Sequence, residues 1–161
     1  MVLAYIGLGS NLEDPTGQVN RAFLELDLLA DTRLVARSAL YRSRAIGPEQ
    51  PDYINAVAQL ETRLAPLDLL DALQSIEQAH RRVRLQHWGP RTLDLDLLLY
   101  GHQSIQLPRL TVPHPYLTQR SFVLYPLADI DPNLQLPDGI SLQTLLSQCP
   151  FEGLARLPEN R

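Results

Sequence analysis

Asp94-Leu95-Asp96 lies inside the apolar run Leu93 to Tyr100. A strand sends alternate side chains to opposite faces, so the two carboxylates share one side with Cα atoms ~6.5 to 7 Å apart, while Leu93, Leu95 and Leu97 turn away. Two anions this close in apolar surroundings repel and lose hydration unless a cation balances them. Magnesium suits the pair, because it usually takes one or two carboxylates and fills its other positions with water and phosphate. Two such ions ~3.5 to 4 Å apart would clamp a polyphosphate. The plainer alternative is the exposed polar face of an edge strand.

Just upstream, Arg81, Arg82, Arg84 and Arg91 crowd around His87-Trp88-Gly89-Pro90. All 14 basic residues are arginine. Without lysine there is no P-loop lysine, no protein-kinase strand lysine and no Schiff base, so any phosphate chemistry falls to guanidinium groups, which bind phosphate oxygens bidentately. Alone, arginines at a helix end are a solvated face favoured by the helix dipole. Beside an acidic pair they describe a site for a metal-bound polyphosphate. Trp88 either covers a planar ligand when its loop closes or anchors the core.

Tyr53 and Asn55 share a strand face by the same period of two. A ring to stack on and an amide with donors and an acceptor suit a flat heterocycle with amino and keto edges, although a packed Tyr and a hydrogen-bonded Asn are the simpler reading. Gln74, Glu77 and Arg81 fall on one helix face, where a solvated Glu77 to Arg81 pair is the default. His114 stands between Pro113 and Pro115 on a stiff turn.

These groups need elements to hold them. Val2 to Gly9 reads as a strand, and Val19, Ala22, Phe23, Leu26 and Leu29 recur at helical spacing after Thr16. Leu34 to Ile46 and Tyr53 to Arg63 read as extended segments separated by the Gly47 to Asp52 loop, and Pro66 opens a helix that continues through Val83. Leu93 to Tyr100 is a strand with a short return strand near Ile105. Further on come helices near Phe122 to Ala128 and Leu142 to Ser147. Strand, helix, strand, strand, helix, strand is the order of α+β ferredoxin-like folds, an antiparallel sheet with helices packed on it, here with a C-terminal extension. That fold alone specifies no function.

A chain of 161 residues suits one domain, 1–161, with a sizeable core. Its net charge of -4 argues against a broad nucleic-acid surface. The lone Cys149 makes no internal disulfide and no zinc site, and reads as a buried or incidental thiol. No stretch approaches a membrane span and the N-terminus lacks a signal-peptide pattern, so a cytoplasmic protein is expected. The residues alone leave open another two-metal phosphotransferase or phosphoesterase, and a non-catalytic ligand- or RNA-binding module.

The run His87-Trp88-Gly89-Pro90-Arg91-Thr92-Leu93-Asp94-Leu95-Asp96-Leu97-Leu98 resembles the signature of the 6-hydroxymethyl-7,8-dihydropterin pyrophosphokinase (HPPK) family of folate synthesis. The similarity extends to Ala4 through Leu12, to Gly47-Pro48, to Pro51 through Ala56 and to Leu110 through His114. It implies a monomer that binds ATP with two magnesium ions and then the pterin, releasing AMP and the pterin diphosphate. Asp94 and Asp96 would hold the metals, and Arg82 and Arg91 would steady the transferring group. Arg84, Trp88, Leu97, Arg109, Thr111, His114 and Arg120 would surround the nucleotide, with Gln74 and Glu77 nearby. Tyr53 and Phe122 would sandwich the pterin beside Trp88, Asn55 would read its edge, and the backbone of Ser43, Arg44, Ala45 and Ile46 would complete its pocket. Arg44 and Ala45 stand where family members often carry prolines, and Leu85 where a basic residue is common.

Overall fold

The computed structural model describes residues 1–12, 14–44, 51–83 and 93–158, and of residues 82 and 83 the helical backbone only. Ala45, Ile46, Arg84, Trp88 and Arg91 lie outside the described residues.

β1 (Val2–Ser10) runs through the middle of an antiparallel sheet, flanked by β5 (Asp94–Tyr100) and β4 (Tyr53–Thr62). The far side of β4 carries β2 (Thr32–Arg37) and β3 (Tyr41–Ser43), and β8 (Leu154–Arg156) pairs with β3 at the edge. This is the ferredoxin-like α+β arrangement expected from the element order.

α1 (Pro15–Asp27) begins where Asp14, in the left-handed region at φ 61°, accepts the Gly17 N–H at 3.2 Å and Pro15 fills the first turn. Its stripe of Val19, Ala22, Phe23 and Leu26 is buried together with Leu69, Leu73 and Ile76 of α2 (Pro66–Val83). Both helices cover one sheet face, meeting Ala4, Ile6 and Leu8 of β1 and Leu95 and Leu97 of β5. Each fully buried leucine contributes about 1.5–3 kcal/mol relative to exposure.

The C-terminal extension covers part of the other face. α3 (Ser121–Ile130) and α4 (Leu142–Ser147) pack Leu124, Leu127, Leu142 and Leu145 against Tyr5, Val57, Leu98 and Leu99. Cys149 is half-buried against this cluster, and burial raises its thiol pKa. Between β5 and α3 lie the hairpin β6 (Ile105–Leu107) and β7 (Leu110–Val112), a cis Val112–Pro113 bond and one 3-10 turn, Leu117–Gln119.

As far as Arg44, the last described residue of that stretch, the extended segment expected from Leu34 to Ile46 is two strands end to end. β2 pairs with the Ala58 to Thr62 half of β4, and β3 with Tyr53 to Asn55. Ser38 makes the break: its N–H donates to the Val57 carbonyl at 2.9 Å and its hydroxyl accepts the Val57 N–H at 2.8 Å. A side chain thereby replaces one rung of the ladder and the backbone steps aside. β7 and β8, three residues each, carry too little periodicity to be read from sequence.

β5 also departs from simple alternation. Its register against β1 shifts between Tyr5↔Leu99 and Ile6↔Leu97, leaving Leu98 as an extra residue. Leu98 and Leu99 therefore both pack under α3, while Leu95 and Leu97 face α2. Such a bulge adds twist and re-aims side chains, and it falls directly after the acidic pair.

Candidate active site

β1 sets the floor of the site. Its Gly7 and Gly9 are register partners of Asp96 and Asp94 on β5, and Gly9 is also the partner of Asn55 on β4. Period-two glycines in a central strand leave its upper surface bare, so side chains from both neighbouring strands reach over it. A Cβ on Gly9 would stand 3.2 Å from Asn55 Nδ2, and one on Gly7 3.3 Å from Leu98 Cδ2.

Above this floor opens a cleft of about 500 Å³. Tyr53 and Asn55 line one wall, Phe122 and Arg120 at the start of α3 another, and Asp94 and Asp96 a third. The Ser43 hydroxyl donates to Asn55 Oδ1 at 2.5 Å, both residues being buried, which fixes the amide and turns its Nδ2 end toward Gly9 and the cleft. The Arg120 guanidinium lies 5.2 Å from the Tyr116 ring centre and 5.5 Å from that of Phe122, within cation–π range of both. Arg44 lines the same cleft, and its N–H donates to the Gly153 carbonyl at 3.1 Å.

A second cleft of about 270 Å³ lies along the outer edge of β5, lined by Leu97, Arg109, Thr111, His114 and, again, Asp96. Arg109 donates to Asp71 at 2.6 Å and to Gln74 Oε1 at 3.2 Å, so Gln74 on α2 is drawn to this cleft. His114 is hung on β5 by its N–H to the Leu98 carbonyl at 3.0 Å. The Tyr116 N–H donates to its Nδ1, so a neutral ring carries its hydrogen on Nε2, 4.0 Å from Asp96 Oδ2. Burial lowers the His114 pKa, Asp96 opposes that shift and Arg120 adds to it.

Glu77 is used differently from a solvated partner of Arg81. Its Oε2 accepts the Leu95 N–H at 2.8 Å, between the two aspartates on the edge strand. The acidic pair is half-exposed, faces bare glycine and is shared by two clefts, a donor set that fits a hard cation bringing its own water and phosphate ligands. Among the described residues no group of three or more His, Cys, Asp or Glu converges, which leaves no zinc-like cage.

The profile of the 7,8-dihydro-6-hydroxymethylpterin-pyrophosphokinase (HPPK) family matches residues 5–132. The chain belongs to the HPPK family. A 2-amino-4-hydroxy-6-hydroxymethyldihydropteridine pyrophosphokinase of Pseudomonas aeruginosa is 58% identical over 155 residues, 96% of each chain. The enzyme of that name from Haemophilus influenzae is 50% identical over 149 residues, 92% of this chain and 93% of the relative. In three dimensions the chain superposes on wild-type Plasmodium falciparum HPPK-DHPS, crystallised with pterin and p-hydroxybenzoate, with a TM-score of 0.70 at 14% identity. The match covers 91% of this chain and 43% of that longer one, and speaks to the fold.

Within this HPPK chain the structure brings Asp94, Asp96, Tyr53, Asn55, Ser43, Arg44, Phe122 and Arg120 around one cleft and Leu97, Arg109, Thr111 and His114 around its neighbour. In the sequence Gly7 and Gly9 stand out only as part of the run Ala4 through Leu12, although glycines two apart in an apolar strand signal close approach from above. The backbone role of Glu77 and the Ser43 to Asn55 bond left no local trace, since each joins residues on different elements.

Proposed function

We propose that the two clefts divide the substrates of one reaction between them. The chain is a pyrophosphokinase: it transfers a diphosphate from ATP to the hydroxymethyl group of 6-hydroxymethyl-7,8-dihydropterin, giving AMP and the pterin diphosphate for tetrahydrofolate synthesis. The pterin lies in the larger cleft between Tyr53 and Phe122, with Asn55 reading its edge and the backbone of Ser43 to Ile46 completing the pocket. ATP lies in the smaller one, against Leu97, Arg109, Thr111 and His114, with Gln74 and Glu77 behind and Arg120 toward the pterin. Carrying this reading is one observation: Asp96 lines both clefts.

Asp94 and Asp96 hold two magnesium ions. When bound, magnesium supplies positive charge that screens the triphosphate and acidifies an attacking hydroxyl. The chain's own work is positioning and charge. Asn55 and the two rings orient the pterin so that its hydroxymethyl group points along the floor of Gly7 and Gly9 toward the aspartates. Arg82 and Arg91 neutralise the charge that develops on the transferring group, while Arg84 and Trp88, which follow α2 in the sequence, cover the nucleotide and pterin. We further propose that the protein acts as a single-domain cytoplasmic monomer without nucleic acid or membrane, and its net charge of -4 supports the lack of a nucleic-acid surface.

Product analysis tests the scheme. ATP, magnesium and the pterin should give AMP and a pterin heavier by two phosphates in equal amounts, and Asp94→Ala or Asp96→Ala should abolish this while the fold persists. ADP with a monophosphorylated pterin would indicate a simple kinase, and wild-type turnover in either variant would remove the metal assignment.

A further inference from the structure

Behind the site, a polar cluster is buried where α1 meets α2, and no step above uses it. His80, 2% exposed, stands between two side chains of α1. Its Nδ1 meets the Gln18 side-chain amide, and its Nε2 lies 2.5 Å from Glu25 Oε1. Gln18 and Glu25 are two helical turns apart, so one imidazole ties together two well-separated positions on the same helix face. A carboxylate only accepts, which places a hydrogen on Nε2, and the amide can present either end to Nδ1. The apolar side chains that α1 and α2 bury in one cluster, Val19, Ala22, Leu73 and Ile76, attract without direction, whereas hydrogen bonds on opposite sides of a ring admit one register of α2 against α1.

Three residues before His80, Glu77 holds the Leu95 N–H at 2.8 Å. Among the described residues β5 is the sheet edge, so this carboxylate takes the outward N–H that a further strand would otherwise accept, midway between Asp94 and Asp96. Glu25, His80, Glu77 and Leu95 therefore form one mechanical series from α1 through the last turns of α2 to the acidic pair.

We propose that His80 is a positioning residue for diphosphate transfer: clamped by Gln18 and Glu25, it holds α2 at the depth where Glu77 pins the strand segment bearing both aspartates. The proposal rests on the assignment of Asp94 and Asp96 to the polyphosphate. His80 itself touches neither cleft. Losing the clamp lets α2 shift, Glu77 leave the Leu95 N–H, and the two carboxylates lose their common aim. Sub-ångström misplacement of this kind lowers turnover more than it lowers substrate affinity.

The test uses the full chain and two independent readouts, amide hydrogen exchange at Leu95 without substrates and steady-state kinetics well below the melting temperature. In Glu25→Ala and His80→Ala, Leu95 exchange should quicken about tenfold or more while amides pairing β1 with β4 keep their protection. The kcat should fall about tenfold with the pterin KM unchanged. Glu25→Gln, whose carboxamide oxygen still accepts from Nε2, should return both readouts to within about twofold of wild type. Adding Glu25→Ala to Glu77→Ala, which removes the acceptor of the Leu95 N–H, should bring no further loss of kcat, because both changes break one series. Wild-type Leu95 exchange or wild-type kcat in Glu25→Ala overturns the proposal, even if the melting temperature drops, because the cluster then only stabilises. If His80→Ala does not fold, the two Glu25 variants decide, that side chain being partly exposed. Asp96→Ala serves as the control: wild-type turnover there refutes the metal reading, whereas loss there with an unmoved Leu95 in Glu25→Ala refutes the clamp alone.

Discussion

Asn55 and Asp94 flank Gly9 from opposite sides, each its register partner, one on β4 and one on β5. With neighbouring strands ~4.8 Å apart, the group proposed to read the pterin edge and the group proposed to serve the phosphates stand ~9.5 Å apart on one face, with no side chain between them. The bare residue is as much a part of the site as the polar ones.

Gly9→Ala should therefore damage pterin binding selectively. Its new Cβ would sit 3.2 Å from Asn55 Nδ2, and the amide is held from the other end by Ser43, so it has little freedom to yield. The pterin KM is expected to rise about tenfold, corresponding to about 1.4 kcal/mol, with the ATP KM unchanged. A proportional rise in both constants would mean that the strand, and not the amide, had moved.

Ser43→Ala removes the hydroxyl that donates to Asn55 Oδ1. A buried acceptor left without its donor costs about 1–3 kcal/mol, and here the penalty appears as a loosened amide. Pterin affinity, measured by calorimetry, should fall about tenfold, and Ser43→Thr, which retains the hydroxyl, should lose much less. Equal losses in the two variants would count against the hydrogen bond as the cause.

Arg82→Ala and Arg91→Ala should lower kcat by about 10²-fold or more while leaving ATP affinity near wild type, since a preorganised charge acts chiefly on the transition state. Nucleotide binding followed by fluorescence, set beside kcat, separates the alternatives. A matching loss of affinity with kcat preserved would make them ordinary binding residues.

Tyr41 predicts how stability responds to alkali. Burial, reinforced by Asp129, which accepts its hydroxyl at 2.8 Å, raises the Tyr41 pKa well above the ordinary tyrosine value of 10.0. The unfolded chain releases this proton near about pH 10 while the folded chain keeps it, so the contribution is complete below that pH and is lost as pH rises beyond it. Melting temperatures from about pH 8 to about pH 11 should decline more steeply for wild type than for Tyr41→Phe. Parallel declines would show that the phenol contributes nothing.

Much of this protein is legible without coordinates because its signals are local. Period-two alternation places Asp94 with Asp96 and Tyr53 with Asn55, and period 3.6 finds α1 and α2, since those periods are properties of single elements. The order of elements was enough for the ferredoxin-like frame, and the run around Asp94 for the family. Relations between elements had to await the folded chain. Gly9 stands between Asn55 on one neighbouring strand and Asp94 on the other, and Ser38 splits one expected strand in two by capturing a β4 amide. Glu77 turns from a presumed solvated ion pair to the backbone of β5, and His80, an unremarked residue among arginines, bridges two turns of α1. Each of these depends on a partner at least 18 residues away, and hydrogen bonds across such a separation exist only once hydrophobic burial on the two sheet faces has brought the partners together.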